Sequence, residues 1–558
     1  MARKTTTSKG AAAKPKAKPR ENAPAVESVA SKKNAPAQKL VSTLTGDESN
    51  ILFKGADWDF PLIDRIYRAV EDIGLNEMGM SIYPNQIEVI TSEQMLDAYA
   101  STGMPLFYKH WSFGKEFARN EQAYRKGYQG LAYEIVINSD PCILYIMEEN
   151  SATMQTLVLA HAGVGHNHFF KNNYVFKQWT DAEGILDYIA FAKSYLAKAE
   201  DKYGITEVER VIDAAHALQS HGVHRSPRKR MADLRTEQMR EKQRRDHGEQ
   251  LFNDLWRTVP KGKKADKSVV DADRRRAILG LPEENILYFL EKTAPRLLPW
   301  QREVLRIVRQ IAQYFYPQRQ TKMMNEGCAT FTHHRIMNRL HEKGMLTDGA
   351  FLEFLHSHTS VVMQPNYDDP RYSGINPYAL GFAMMQDIER ICVNPTGEDR
   401  AALPAIAGNG DPYGTLREVW ANYRDESCIS QFMSPKLIRD FSLFRVSDDG
   451  DPSEDLRVDA IHDERGYARI RRALSRQYDI SRRDPDIQVV DVDLVGDRKL
   501  MLQHRVLDGV MLASEDAQRV LQHLANLWGY PVVLTEISQN DESLAEHTAD
   551  PFRPFGTV

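Results

Sequence analysis

Residues 158–170 read Val158-Leu-Ala-His161-Ala-Gly163-Val-Gly165-His166-Asn-His168-Phe-Phe170, a short way after Glu148-Glu149-Asn150. Met154, Leu157, Val158 and His161 fall at helical spacing, so an apolar helix face that should be buried ends on an imidazole. Such a group is either a hydrogen-bonded core residue or a ligand. His161 and His166 are five apart, which in an unbroken α-helix turns the second ring ~140° from the first. Two glycines lie between them, and they allow the helix to end or bulge and bring His166 back toward His161.

A second stretch has the same character: Met323-Met-Asn325-Glu326-Gly327-Cys328-Ala-Thr-Phe-Thr-His333-His334. Glu326 and His333 share one side of a helix but lie ~10 Å apart along it, too far to bind one ion together. Two imidazoles from one helix and a distant carboxylate, with an open position for water, are what a zinc hydrolase uses. The ligand set expected here is His161, His166 and Glu326, with zinc as the divalent ion. Glu149 is the expected general base, and His333 is expected to steady an oxyanion on an amide or peptide-like substrate. His356-Ser-His358 is a weaker metal pair, and His168, His216, His221, His224, His334 and His341 read as hydrogen-bonded core or surface residues.

Several of these strings resemble the SpoVR (stage V sporulation protein R) family. They are His161 to Asn173 with the preceding Met-Glu-Glu-Asn, Trp179-Thr-Asp181, the Asn-Glu-Gly-x-Ala core at 325–329, and Gly374-Ile-Asn376-Pro-Tyr-Ala-Leu-Gly381-Phe. The resemblance runs from about residue 50 to the C-terminus. The chain departs from the family pattern at Cys328, where tryptophan is usual, and at Val164, where an aromatic is usual. The family's name implies an association with the spore cortex, and more broadly with cell-envelope or stress physiology, but no reaction. Metallopeptidases with a histidine helix and a Glu-Gly-Trp-Ala second helix offer Glu326 as third ligand by analogy.

The chain as a whole reads as mainly α. A large helical body with one short β-hairpin is expected over residues 49–435, a polar connection over 436–486, and a small α/β (ββαβ) module over 487–558. Asp59, Pro61 and the series Leu62, Ile63, Ile66, Tyr67, Val70 and Ile73 before Gly74 give a capped amphipathic helix. Thr180 and Thr206 have capping-box spacing, and a helix from Trp300 is expected to stop at Pro317. Tyr133 to Ile137 and Cys142 to Ile146 flank an Asp140-Pro141 turn and predict the hairpin. Near Ile487 the apolar period changes from 3.6 to 2, marking the C-terminal module. That module carries no evident catalytic grouping and is expected to dock an unidentified protein partner.

Composition sets the outer limits. Of the 558 residues 42% are hydrophobic and 27% charged, ordinary for a globular protein, and the net charge is −5. Cys142, Cys328, Cys392 and Cys428 are far apart with no CxxC pair, which argues against a disulfide framework and for a reducing cytoplasm. No apolar run is long enough to span a bilayer. Residues 1–48 form a Lys/Ala/Pro-rich stretch expected to be disordered. Arg225 to Arg245 holds nine Lys/Arg against three acids. Without aromatic interleaving this reads as a solvated helix rather than a nucleic-acid surface.

Two alternatives share the same residues. A di-metal carboxylate redox centre would need a pair of Glu-x-x-His repeats that the sequence lacks. A non-enzymatic adaptor would use the His/Glu set as a structural network.

Overall fold

Helix α1 (Phe60–Asp72) opens as its sequence requires: Asp59 accepts the Leu62 amide at 2.8 Å, Pro61 sits in the first turn, and Leu62, Ile63, Ile66 and Val70 are buried. Strands β1 (Asn85–Ile90), β2 (Glu134–Ile137) and β3 (Cys142–Met147) follow. They form a sheet in the order β1-β3-β2, with β1 parallel and β2 antiparallel to β3. The predicted hairpin is β2-β3. Every residue of β3 is buried, because alternate side chains enter two different cores: Leu144 and Ile146 one, Ile143, Tyr145 and Met147 the other. The computed structural model describes residues 50–101, 107–126, 133–225, 276, 279–447, 457–460, 462–493 and 496–555. The expected disordered stretch and nearly all of the Arg225 to Arg245 cluster lie outside the described residues.

The first core holds the histidine segment. Helix α2 (Ala152–Val158) runs without interruption into a π-helix, Leu159–His166. Next come α3 (Ile185–Tyr203), α4 (Ile205–Ala217), α5 (Pro299–Gln320), α6 (Lys322–Glu342), α7 (Asp348–Val361) and α8 (Pro377–Val393). Helix α6 lies at close range against the π-helix on one side and α8 on another. A Cβ on Gly165 would stand 2.5 Å from Ala329 Cα, and one on Gly327 would stand 2.7 Å from the Gly381 carbonyl carbon. Only glycine permits those backbones to approach so closely.

Local signals fail in three places. The two capping boxes do not form, since α3 and α4 start after Gly184 and Gly204. The Thr180 hydroxyl instead bonds back to Phe176 O at 2.7 Å, and Thr206 lies inside α4. Helix α5 continues through Pro317 to Gln320, because tertiary burial of its last turn outweighs the proline.

The polar connection expected over 436–486 is a correction. It contains helix α9 (Glu464–Tyr478), whose Ile470 and Leu474 are buried in the first core. A charged face masks the 3.6-residue apolar stripe that docks it. The C-terminal module also gains a strand. Strands β4 (Asp486–Val492) and β5 (Leu500–Arg505), helix α10 (Ser514–Trp528), and strands β6 (Val532–Ile537) and β7 (Ser543–Ala549) give ββαββ, in sheet order β4-β5-β6-β7. The edge strand β7 is mostly exposed and poor in β-branched residues, so it leaves little trace in the sequence. This sheet shares the second core with α3, α4, α5 and the Ile286–Thr293 helix, where Phe289 and Trp528 rings meet at 5.9 Å. Glu283 and Val489 exchange both backbone hydrogen bonds, at 3.0 and 2.8 Å. No helix among the described residues is long and apolar enough to cross a membrane.

Candidate metal centre

The π-helix solves the spacing problem of His161 and His166. Its i to i+5 turn is one residue wider than an α-turn, so residues five apart share a face. The two rings meet edge to face with centroids 4.6 Å apart. Helix α6 then brings Glu326 across: its Oε2 lies 3.8 Å from His161 Nε2 and 3.6 Å from His166 Nε2. One ligand atom from each of the three falls within 4.8 Å of the others. Some 160 residues of separation in sequence are closed by the glycine contact between the π-helix and α6.

A hydrogen bond fixes which nitrogen of His166 faces the centre. His166 Nδ1–H donates to Asn325 Oδ1 at 2.9 Å, leaving Nε2 with its lone pair toward Glu326. His161 Nδ1 lies 2.9 Å from His333 Nδ1, and His333 Nε2 lies 2.9 Å from His358 Nδ1. If His161 Nδ1–H donates, the remaining protons of this chain follow, and His161 Nε2 is likewise left as a lone pair. Partners of this kind orient imidazole ligands in metal sites.

The electrostatics are those of a site short of positive charge. Burial pushes His161 and His333 well below the ordinary histidine range, so neither supplies a cation. Burial, and then the neighbouring Glu326, push Glu134 up to about 8. Glu326 is raised as well, burial outweighing the pull of His166, a hydrogen bond from Tyr378 and the charge of Lys322. Its Oε2 is buried with no hydrogen-bond partner among the described residues. A divalent cation would satisfy that oxygen and both Nε2 lone pairs, so the residues fit one. Glu134 and Glu326 retain 17% and 16% side-chain exposure, which leaves the centre a path to solvent.

Two expected roles change. Glu149 does not converge on the centre: it is exposed, and its Oε1 accepts the Ser92 amide at 3.2 Å. It lies past the end of β3, where the chain turns outward before α2. The carboxylate that does approach is Glu134, at 3.8 Å from His161 Nε2. Its trace in the sequence was an acid at the start of an otherwise apolar strand. His333 is present but has both ring nitrogens engaged by His161 and His358, so it orients His161 instead of meeting an oxyanion. His358, within α7, is a link in that chain, whereas His356 is exposed. Tyr378, from the Asn376-Pro-Tyr string, and Asn325 complete the surroundings.

Of the other histidines, His168 Nδ1 accepts the Ser81 amide, and His216 is bonded to Tyr108, His224 to Glu283 and His341 to Asp348; His334 packs against Phe382 with its Nδ1 buried and without a hydrogen-bond partner among the described residues. Of the two unusual residues, Cys328 is fully buried with Sγ 3.7 Å from Gly165 O. Val164 packs against Gly74 of the turn after α1.

A helical body with two histidines on a π-turn and a glutamate on a facing helix defines the class: a mainly α protein with a buried His/His/Glu centre. The SpoVR like protein family matches residues 57–483, and the SpoVR-like C-terminal domain matches residues 485–539. The protein YcgB of Escherichia coli (strain K12) is 52% identical over 495 residues, spanning 89% of this chain and 95% of YcgB. The chain belongs to the SpoVR family. No solved structure matches it.

Proposed function

We propose that the protein is a divalent-metal-dependent hydrolase of an amide or peptide-like bond, with His161, His166 and Glu326 holding one ion, zinc by donor type. The observation that carries this reading is the convergence of the His161 and His166 Nε2 atoms on a buried carboxylate oxygen that has no hydrogen-bond partner among the described residues. When bound, such an ion lowers the pKa of its water to near 7. Glu134, on the open side of the centre, takes the base role: it accepts a proton from the attacking water and returns it to the leaving nitrogen. His333 and Asn325 hold the two ligand rings in register. Tyr99, a partly exposed ring whose hydroxyl feels the charges of Glu134 and Glu326 and stays protonated, is the neutral donor offered to an oxyanion. An amide substrate accords with the spore-cortex association that the family's name carries.

Among the described residues the centre gathers Glu134, His161, His166 and Glu326, fewer than the six or so groups of a two-ion carboxylate centre. A structural network is disfavoured by the unpartnered Glu326 oxygen. Elemental analysis of protein purified without chelator tests the reading. About one zinc per chain, lost in His161→Ala and kept in Glu134→Gln, is expected. A ratio near two irons selects the redox alternative, and a ratio near zero in the parent chain refutes the metal reading.

A further inference from the structure

A cavity of ≈ 740 Å³ opens beside Lys322, the first residue of α6. Its lining mixes apolar Ile375, Leu443 and Leu474 with the cationic Lys322 and Arg483. Arg319 also lines it, but is paired with Asp484 at 2.8 Å. Lys322 and Arg483 are exposed and have no ion-pair partner among the described residues. The acid in the wall, Asp425, makes no ion pair with them: its two oxygens accept the Met323 and Met324 amides, at 2.9 Å each. The volume suits a ligand of two or three residues.

Along α6 the cavity lies one turn from the proposed metal centre. Lys322 and Glu326 are four apart on α6, hence on one face and about 6 Å apart along the axis. The charge of Lys322 is felt at the Glu326 carboxylate, and Pro377 of the cavity wall precedes Tyr378, which hydrogen-bonds that carboxylate. An extended peptide advances ~3.5 Å per residue, so about two residues span the ~6 Å of helix axis that separates Lys322 from Glu326.

We propose that this cavity is the substrate's anchoring subsite and that it takes a short peptide with a free C-terminal carboxylate, held by Lys322 and Arg483. The scissile amide then lies one or two residues from that carboxylate. This assignment rests on the hydrolase reading for the identity of the bond cut, but the anchoring itself is measurable without catalysis.

The test uses the full chain and an N-acetylated alanine-leucine hexapeptide, as the free acid and as the C-terminal amide. Calorimetric titration is expected to give binding of the acid at least tenfold tighter than of the amide. The Lys322→Gln/Arg483→Gln variant should abolish that preference while its zinc content stays that of the parent chain. Equal binding of acid and amide, no binding of either, or a preference that survives in the variant would each overturn the anchoring site. With zinc bound, mass spectrometry should find one or two residues released from the C-terminus, and cleavage elsewhere overturns the register. If the acid is preferred by a chain that holds no metal, the anchoring site stands and the metal reading falls.

Discussion

Glu134→Gln should stabilise the metal-free protein at neutral pH, a result that a structural role for this carboxylate does not allow. Burial beside Glu326 raises the Glu134 pKa from an ordinary 4.5 to about 8. Between those values the folded chain keeps a proton that the unfolded chain releases. The native state therefore binds more protons than the unfolded state, and stability falls as pH rises from about 4.5 to about 8, then levels. At pH 7 the interval above 4.5, taken at about 1.36 kcal/mol per pH unit, amounts to about 3 kcal/mol of lost stability. Glutamine has the same shape and carries no charge, so it removes this loss. For a cooperative unit of this size 1 kcal/mol moves the Tm by about 1 °C, which predicts a rise of roughly 3 °C at pH 7 and none at pH 4.5. Thermal unfolding of chelator-treated parent and variant at pH 4.5, 6, 7 and 8.5 measures the difference, and other titrating groups cancel between the two. The same variant, loaded with metal, should lose activity a hundredfold or more as a general base is removed. Parallel pH profiles for parent and variant, or a variant less stable at pH 7, would refute the reasoning.

Other outcomes follow from the same geometry. Glu149→Gln, on an exposed carboxylate that only receives the Ser92 amide, should leave metal content and activity unchanged and shift stability by no more than about 0.5 kcal/mol; a large loss of activity would return Glu149 to the site. Gly165→Ala forces a methyl against the Ala329 backbone, so denaturant titration should read a loss of about 1–3 kcal/mol and metal analysis a weakened site. In the C-terminal module Glu536 is buried, which alone would raise its pKa, but hydrogen bonds from His547, the Leu512 amide and His504 outweigh this and hold it below the ordinary value. Its contribution to stability is present above the ordinary carboxylate pKa and is lost as pH falls through the lowered value. Glu536→Gln should therefore destabilise the chain at neutral pH and weaken its acid dependence, as read by hydrogen exchange of β5 and β6.

The sequence by itself determined what local periodicity and residue type can carry. Helix α1, the β2-β3 hairpin and the change of period near Ile487 are written in spacing and caps, and His161, His166 and Glu326 stand out because polar groups interrupt apolar helix faces. Even the need for a bulge was legible in Gly163 and Gly165, since an α-helix cannot present residues five apart on one face. Tertiary structure decided the rest. The glycine contacts of Gly165 with Ala329 and of Gly327 with Gly381 set how near two distant helices come, and no local pattern encodes a distance between chains of residues that far apart. Glu149 was attractive because it is close in sequence, whereas Glu134 reaches His161 because strand pairing places it opposite Ile146. Helix α9 docks because an otherwise charged segment meets a core that its own sequence does not contain. Local backbone preferences are settled within a turn or a strand, while the convergence of side chains is settled by packing across the whole fold.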